Sequence, residues 1–251
     1  MIRKSVVLAA GLAVAAGAFA APPIPAYIQK AMADPALGAD AQVDATRHIA
    51  ELVAFAQVKP GDKVLELIPG AGHFTRVFSK VVGPSGHVYA VWPKPYDDES
   101  HPDSDRMRQL TKQPGFGNIS VAIQPATHLS APESLDVVFT SQNYHDYPDK
   151  FMGRVDPSVL DKDVYAALKP GGLYVIIDHV AQAGSGMRDT DTLHRIDPAI
   201  VRKQVEAAGF VFDGESDVLR NPADKHVLTV FDKAIRGHTD QFAYRFRKPL
   251  H

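Results

Sequence analysis

From residue 44 onward, short apolar runs alternate with amphipathic stretches, and turn residues mark most of the changeovers. The runs "KVLELI" (63–68), "HVYAVW" (87–92), "ISVAIQ" (119–124), "LDVVFT" (135–140) and "LYVIIDH" (173–179) have the pattern of strands buried on both faces. "FVFDGESDVL" (210–219) and "QFAYRFRKP" (241–249) read as late strands. Helices are predicted over 44–61, 73–82, 105–113, 156–168 and 197–208. In the first of these, Ile49, Leu52, Val53 and Ala56 share one face, and Pro60-Gly61 stops the helix. Asp156-Pro157 and Asp197-Pro198 each read as an N-cap followed by a first-turn proline. "PKPYDDESHPDS" (93–104) is polar and broken by proline, so it reads as a long loop. Strands alternating with helices predict an α/β, doubly wound, mostly parallel sheet with helices on both faces. Ligands of such sheets bind beyond the carboxyl ends of the strands.

Composition narrows this. Apolar residues make up 45% and charged residues 22%, which supports a packed core. The formal net charge of −2 gives no basic face and argues against nucleic acid as a partner. The chain has no cysteine, which excludes disulfides, thiolate metal sites and cysteine nucleophiles. Arg3 and Lys4, the apolar run 6–20 and Ala18-Phe19-Ala20 form a secretory signal pattern with cleavage expected after Ala20. The expectation is a periplasmic or secreted protein with no stable membrane insertion after cleavage. Residues 21–42 are rich in proline and alanine and read as an extended segment over the surface, leaving 43–251 as the folded domain.

The strand ends hold the candidate chemistry. After the first strand, Gly70 and Gly72 permit a tight turn and close approach of a ligand, while Glu66 stands near the strand end. The helix from His73 aims its positive end at the same place. After the second strand comes Trp92, either a platform for a flat base or a core aromatic, with Asp97 and Asp98 a few residues on. After the fourth comes "SQNYHDYPD", where Gln142, Asn143, Tyr144, His145 and Asp146 crowd the functional edge or form a self-bonded turn. His145 is a natural general base. After the fifth come Asp178 and His179; His194 and Arg195 could reach the same edge, or join Asp178 in a structural network. Convergence of His145, Asp178 and His179 on a metal is conceivable, but no histidine spacing is diagnostic and no metal ligand is assigned.

Together these stretches resemble the class I S-adenosylmethionine-dependent methyltransferases. "VLELIPGAG" looks like that family's first motif, V-L-[DE]-x-G-x-G-x-G, and "LKPGGLYVIID" like its turn into the fifth strand. More narrowly, "NYHD", "LHRID" and "TDQFAYRFRKP" are similar to a bacterial group labelled predicted methyltransferases, many with export signals. The resemblance covers about residues 44–249 and implies a seven-stranded Rossmann-like sheet of order 3-2-1-4-5-7-6. It implies S-adenosylmethionine as cofactor beside Glu66, Gly70 and Gly72; Pro69, Phe74, Trp92, Gln142, Asn143 and Tyr144 are the further cofactor contacts expected at the strand ends. Methyl transfer to a small-molecule acceptor would use His145, Asp146, Asp178 and His179. The chain departs from the pattern where Ile68 replaces the first motif glycine, Trp92 the usual acid after the second strand, and Pro125-Ala126 the acid that often follows the third. A non-catalytic ligand-binding module on the same fold is therefore the alternative.

Overall fold

The computed structural model describes residues 23–40 and 47–250; the signal pattern lies outside them. The strands are β1 (Lys63–Leu67), β2 (His87–Pro93), β3 (Ile119–Gln124), β4 (Leu135–Ser141), β5 (Leu168–His179), β6 (Val211–Ser216) and β7 (Gln241–Arg247). They form one sheet of order β3-β2-β1-β4-β5-β7-β6. Pairing is parallel through β3-β2-β1-β4-β5 and antiparallel on both sides of β7. This is the mostly parallel sheet expected from the strand pattern, in the order that the resemblance implied.

The helices are α1 (Ala26–Met32), α2 (Ile49–Phe55), α3 (His73–Val82), α4 (Lys94–Leu110), α5 (Pro157–Ala167), α6 (Thr190–Leu193) and α7 (Pro198–Ala207). The core holds Val64, Leu65, Val138, Val175, Ile176 and Ile177 from the central strands, against which Val77 and Phe78 of α3 pack. Apolar runs in these strands leave little exposed on either face, because helices cover both.

Three expectations need correction. Residues 26–32 form a helix instead of an extended strap, burying Ile28 and Ala31, with short 3-10 turns over Pro35–Asp40. The helix read over 44–61 is shorter, Ile49–Phe55, because Gln57 turns left-handed at φ 56. Of the predicted loop 93–104, Pro93 ends β2 and residues 94–104 are the first part of α4. Pro95 lies in the first turn, where a missing N–H costs nothing. Ion pairs at helical spacing, Lys94–Asp98, Asp103–Arg106 and Asp105–Arg108, then support a polar helix through Pro102.

Candidate active site

The carboxyl ends of β1, β4 and β5 open into a cavity of about 710 Å³. Its floor begins at Ile68. This residue sits at φ +50, a left-handed conformation that suits glycine and strains a β-branched side chain. The backbone therefore keeps the glycine geometry of the motif although the side chain is isoleucine. Gly70, at φ +56, lines the cavity, and a Cβ there would meet nothing within 4 Å. Gly72 does not line it. Its φ is +78, and an added Cβ would stand 2.5 Å from the Met107 methyl, so this glycine serves the packing of α4 on the loop.

Glu66 lines the cavity but is only 3% exposed. Thr75 Oγ1 donates to its Oε2 at 2.5 Å. Burial nonetheless pushes its carboxyl up to about 8, so the acid is largely protonated when alone. Phe74 completes this wall, packed on Phe78 and Phe139.

The turn after β4 decides which of its side chains face the cavity. Gln142 takes φ +64 and donates from its Nε2 to Gln241 Oε1 at 3.0 Å. Residues Tyr144–Asp146 form a 3-10 turn. This sends Tyr144 into the core, where its hydroxyl donates to Asp161 at 2.9 Å, and Tyr147 is buried as well. Tyr144 is thus not on the cavity. His145, Asp146 and Asn143 are, and the Asn143 Oδ1 is buried with no hydrogen-bond partner.

His145 Nδ1 lies 2.7 Å from Asp178 Oδ1, and the His145 backbone N–H donates to Asp178 Oδ2 at 2.9 Å. The His179 backbone N–H also donates to that carboxylate. Asp178 is fully buried behind His145. Burial alone would lower the His145 imidazole, but Asp178 and Asp146 outweigh it and hold the group well above its ordinary value. Burial would raise Asp178, and the His145 charge and hydrogen bonds hold it low instead. His179 is the opposite case. Burial dominates and lowers it to about 4, leaving a neutral ring whose Nδ1 is 2.8 Å from Thr239 Oγ1. It faces the same cavity.

Two further readings change. Trp92 is fully buried and absent from the cavity, because α4, where a loop was expected, packs over the β2–β3 edge. Its neighbours on α4, Tyr96 and Glu99, face the cavity; Asp97 and Asp98 do not. Arg195 does not join Asp178: it pairs with Asp224 at 2.9 Å and donates to the Val180 and Leu228 carbonyls. His194 does arrive. A parallel bridge between Val180 and Ile196, and φ +53 at His194 itself, set its Nδ1 3.3 Å from His145 Nε2. Asp149, Phe151 and Asp191 line the cavity and were not singled out from the sequence. The i, i+3 spacing of Tyr96 and Glu99 was the available signal for that wall, once 94–110 is known to be helical.

A solved S-adenosylmethionine-dependent methyltransferase from Aquifex aeolicus superposes with a TM-score of 0.55 at 17% identity, covering 88% of this chain and 96% of that one. The strand order and this likeness agree. The chain has the fold of the class I S-adenosylmethionine-dependent methyltransferases. The family profile described as protein-L-isoaspartate(D-aspartate) O-methyltransferase matches residues 1–95. A protein-L-isoaspartate O-methyltransferase of Ignicoccus hospitalis is 34% identical over 88 residues, 35% of this chain and 38% of its own length. The ubiquinone/menaquinone biosynthesis C-methyltransferase UbiE of Hydrogenovibrio crunogenus is 31% identical over 133 residues, 53% of this chain and 46% of its own. The chain thus spans less than half the length of these curated relatives. In this methyltransferase-fold chain, β1 with its glycine turn and α3 lie within the matched stretch.

Proposed function

We propose that the chain is an S-adenosylmethionine-dependent methyltransferase acting on a small acceptor. The observation that carries this is the cavity itself, which joins the first-motif loop at Glu66 and Gly70 to the cluster His145, Asp146 and His179. The residues present fit the cofactor. Gly70 leaves open space above its backbone, and Asn143 Oδ1 is a buried acceptor without a partner. Glu66 is a carboxyl that a cationic ligand would ionise. Tyr96 and Glu99 on α4 supply the aromatic and acidic groups that Trp92 does not.

When bound, S-adenosylmethionine supplies an electrophilic sulfonium methyl. The protein's share is alignment and proton transfer. The tautomer in which His179 Nδ1–H donates to Thr239 leaves Nε2 as a proton acceptor for an acceptor's O–H or N–H group. His145, held in place by Asp178, and Asp146 orient the acceptor beside it. An adjoining cavity of about 890 Å³ shares Ser141, Gln142, His179 and Phe231 with the first and gives the acceptor its approach. Export from residue 21 onward belongs to this reading and is checked by cell fractionation. Among the described residues no helix is long and apolar enough to cross a membrane.

The test is methyl-labelled S-adenosylmethionine incubated with the protein and fractionated small-molecule extract. Label should pass to a non-protein fraction, and His179→Ala should cut that transfer at least about 100-fold, the scale of a lost general base. The strained Ile68 favours one second reading, a ligand-binding module without catalysis. Cofactor binding with no transfer above boiled protein would establish it instead.

A further inference from the structure

Three side chains lining the cavity bring one donor atom each to a common point. His145 Nε2, His194 Nδ1 and Asp146 Oδ1 all lie within 4.8 Å of one another. The separations are 3.2 Å from His145 to Asp146, 3.3 Å from His145 to His194 and 3.9 Å from His194 to Asp146. Ligands about 2.0–2.1 Å from a tetrahedral zinc ion stand about 3.3 Å from one another. The triangle thus has roughly the size of one face of such a coordination shell. Two imidazoles and one carboxylate suit a first-row transition ion better than magnesium or calcium, which favour oxygen.

The surroundings support the same use. Asp178 engages Nδ1 of His145, so Nε2 is the nitrogen turned toward His194 and Asp146. A carboxylate behind the ring is how metal-binding imidazoles are commonly oriented. Asp149 also lines the cavity, is 1% exposed, and has both carboxylate oxygens buried without a hydrogen-bond partner. The nearby Thr190 hydroxyl, which favours the charged form of Asp149, donates to the Met187 carbonyl at 3.2 Å. A buried carboxylate left unsatisfied calls for a ligand of its own.

We propose that His145, Asp146 and His194 form a site for a divalent first-row transition-metal ion such as zinc, with its remaining positions open to the cavity for water or a substrate oxygen. Holding and acidifying an acceptor oxygen there rests on the methyl-transfer reading; binding of the ion does not.

Chelator-treated protein titrated with zinc chloride should bind one ion per chain, with cobalt giving a visible spectrum that zinc displaces. His194→Ala and Asp146→Asn should each weaken binding at least about 100-fold, and Asp178→Asn by about 10–100-fold. His128→Ala, at an exposed histidine away from the cavity, should leave it unchanged. His194 is partly exposed, so its variant should fold, which circular dichroism verifies. Binding of S-adenosylhomocysteine, measured separately on the same variants, keeps failure of the metal site distinct from failure of the cofactor site. No stoichiometric binding by the parent, or equal affinity in His194→Ala, overturns the proposal.

Discussion

Ile68 holds a left-handed backbone at φ +50, which costs an L-residue about 1–2 kcal/mol. Its side chain is also 4% exposed, and truncating a buried isoleucine to alanine size costs about 2–5 kcal/mol. Burial outweighs strain, so Ile68→Gly should be less stable by about 1–3 kcal/mol; urea unfolding measures this. A more stable variant would mean that strain dominates. Glu66 gives a pH signature. Its folded value of about 8 lies above that of an unfolded glutamate, so between about pH 4.5 and 8 the folded chain keeps a proton the unfolded chain has lost. Glu66 therefore costs stability progressively as pH rises through that window. Glu66→Gln removes the cost, and its stability relative to the parent should rise by on the order of a few kcal/mol from pH 5 to pH 8. Parallel curves would contradict the buried neutral acid. At this scale the sequence was partly legible. Glu66 and Gly70 could be placed from the motif, whereas Trp92 and Tyr144 could not, because rotation of a side chain into the core depends on what packs over it.

Elements were more legible where a cap or a continuous apolar run marks them. Asp156 and Asp197 were identified as N-caps, and their side chains accept from the Ser158 and Ala199 backbone N–H groups at 2.9 Å. Asp197 Oδ2 also accepts from Gly184 N at 2.7 Å, tying down the loop before α6. Asp156→Ala should cost about 1 kcal/mol, as a lost cap does, and Asp197→Ala about twice that. Thermal unfolding of both variants gives the order; equal losses would remove the loop contact from the account. The first part of α4, residues 94–104, was missed because its support lies in charge pairs at helical spacing, while Pro95 and Pro102 carry the opposite local signal. That one misreading also hid Glu99, which shares a face with Tyr96 only on a helix.

In the whole molecule, the parallel part of the sheet brings Glu66, Gly70, His145, Asp146 and His179 to one edge. Glu66 and His179 stand at the carboxyl ends of β1 and β5, and His145 follows β4, strands whose order was readable from the resemblance. The arrival of His194 was less legible, because it depends on a bridge outside the main strands and on one residue's left-handed turn. The central claim is that this edge binds S-adenosylmethionine over Gly70. Calorimetric titration with S-adenosylhomocysteine, which binds without turnover, tests it most directly. The account predicts saturable binding at one site per chain, weakened at least about 10-fold in Gly70→Val, whose side chain would project into the open space of the cavity. An absence of saturable binding, or an unchanged affinity in a folded Gly70→Val protein, would contradict it.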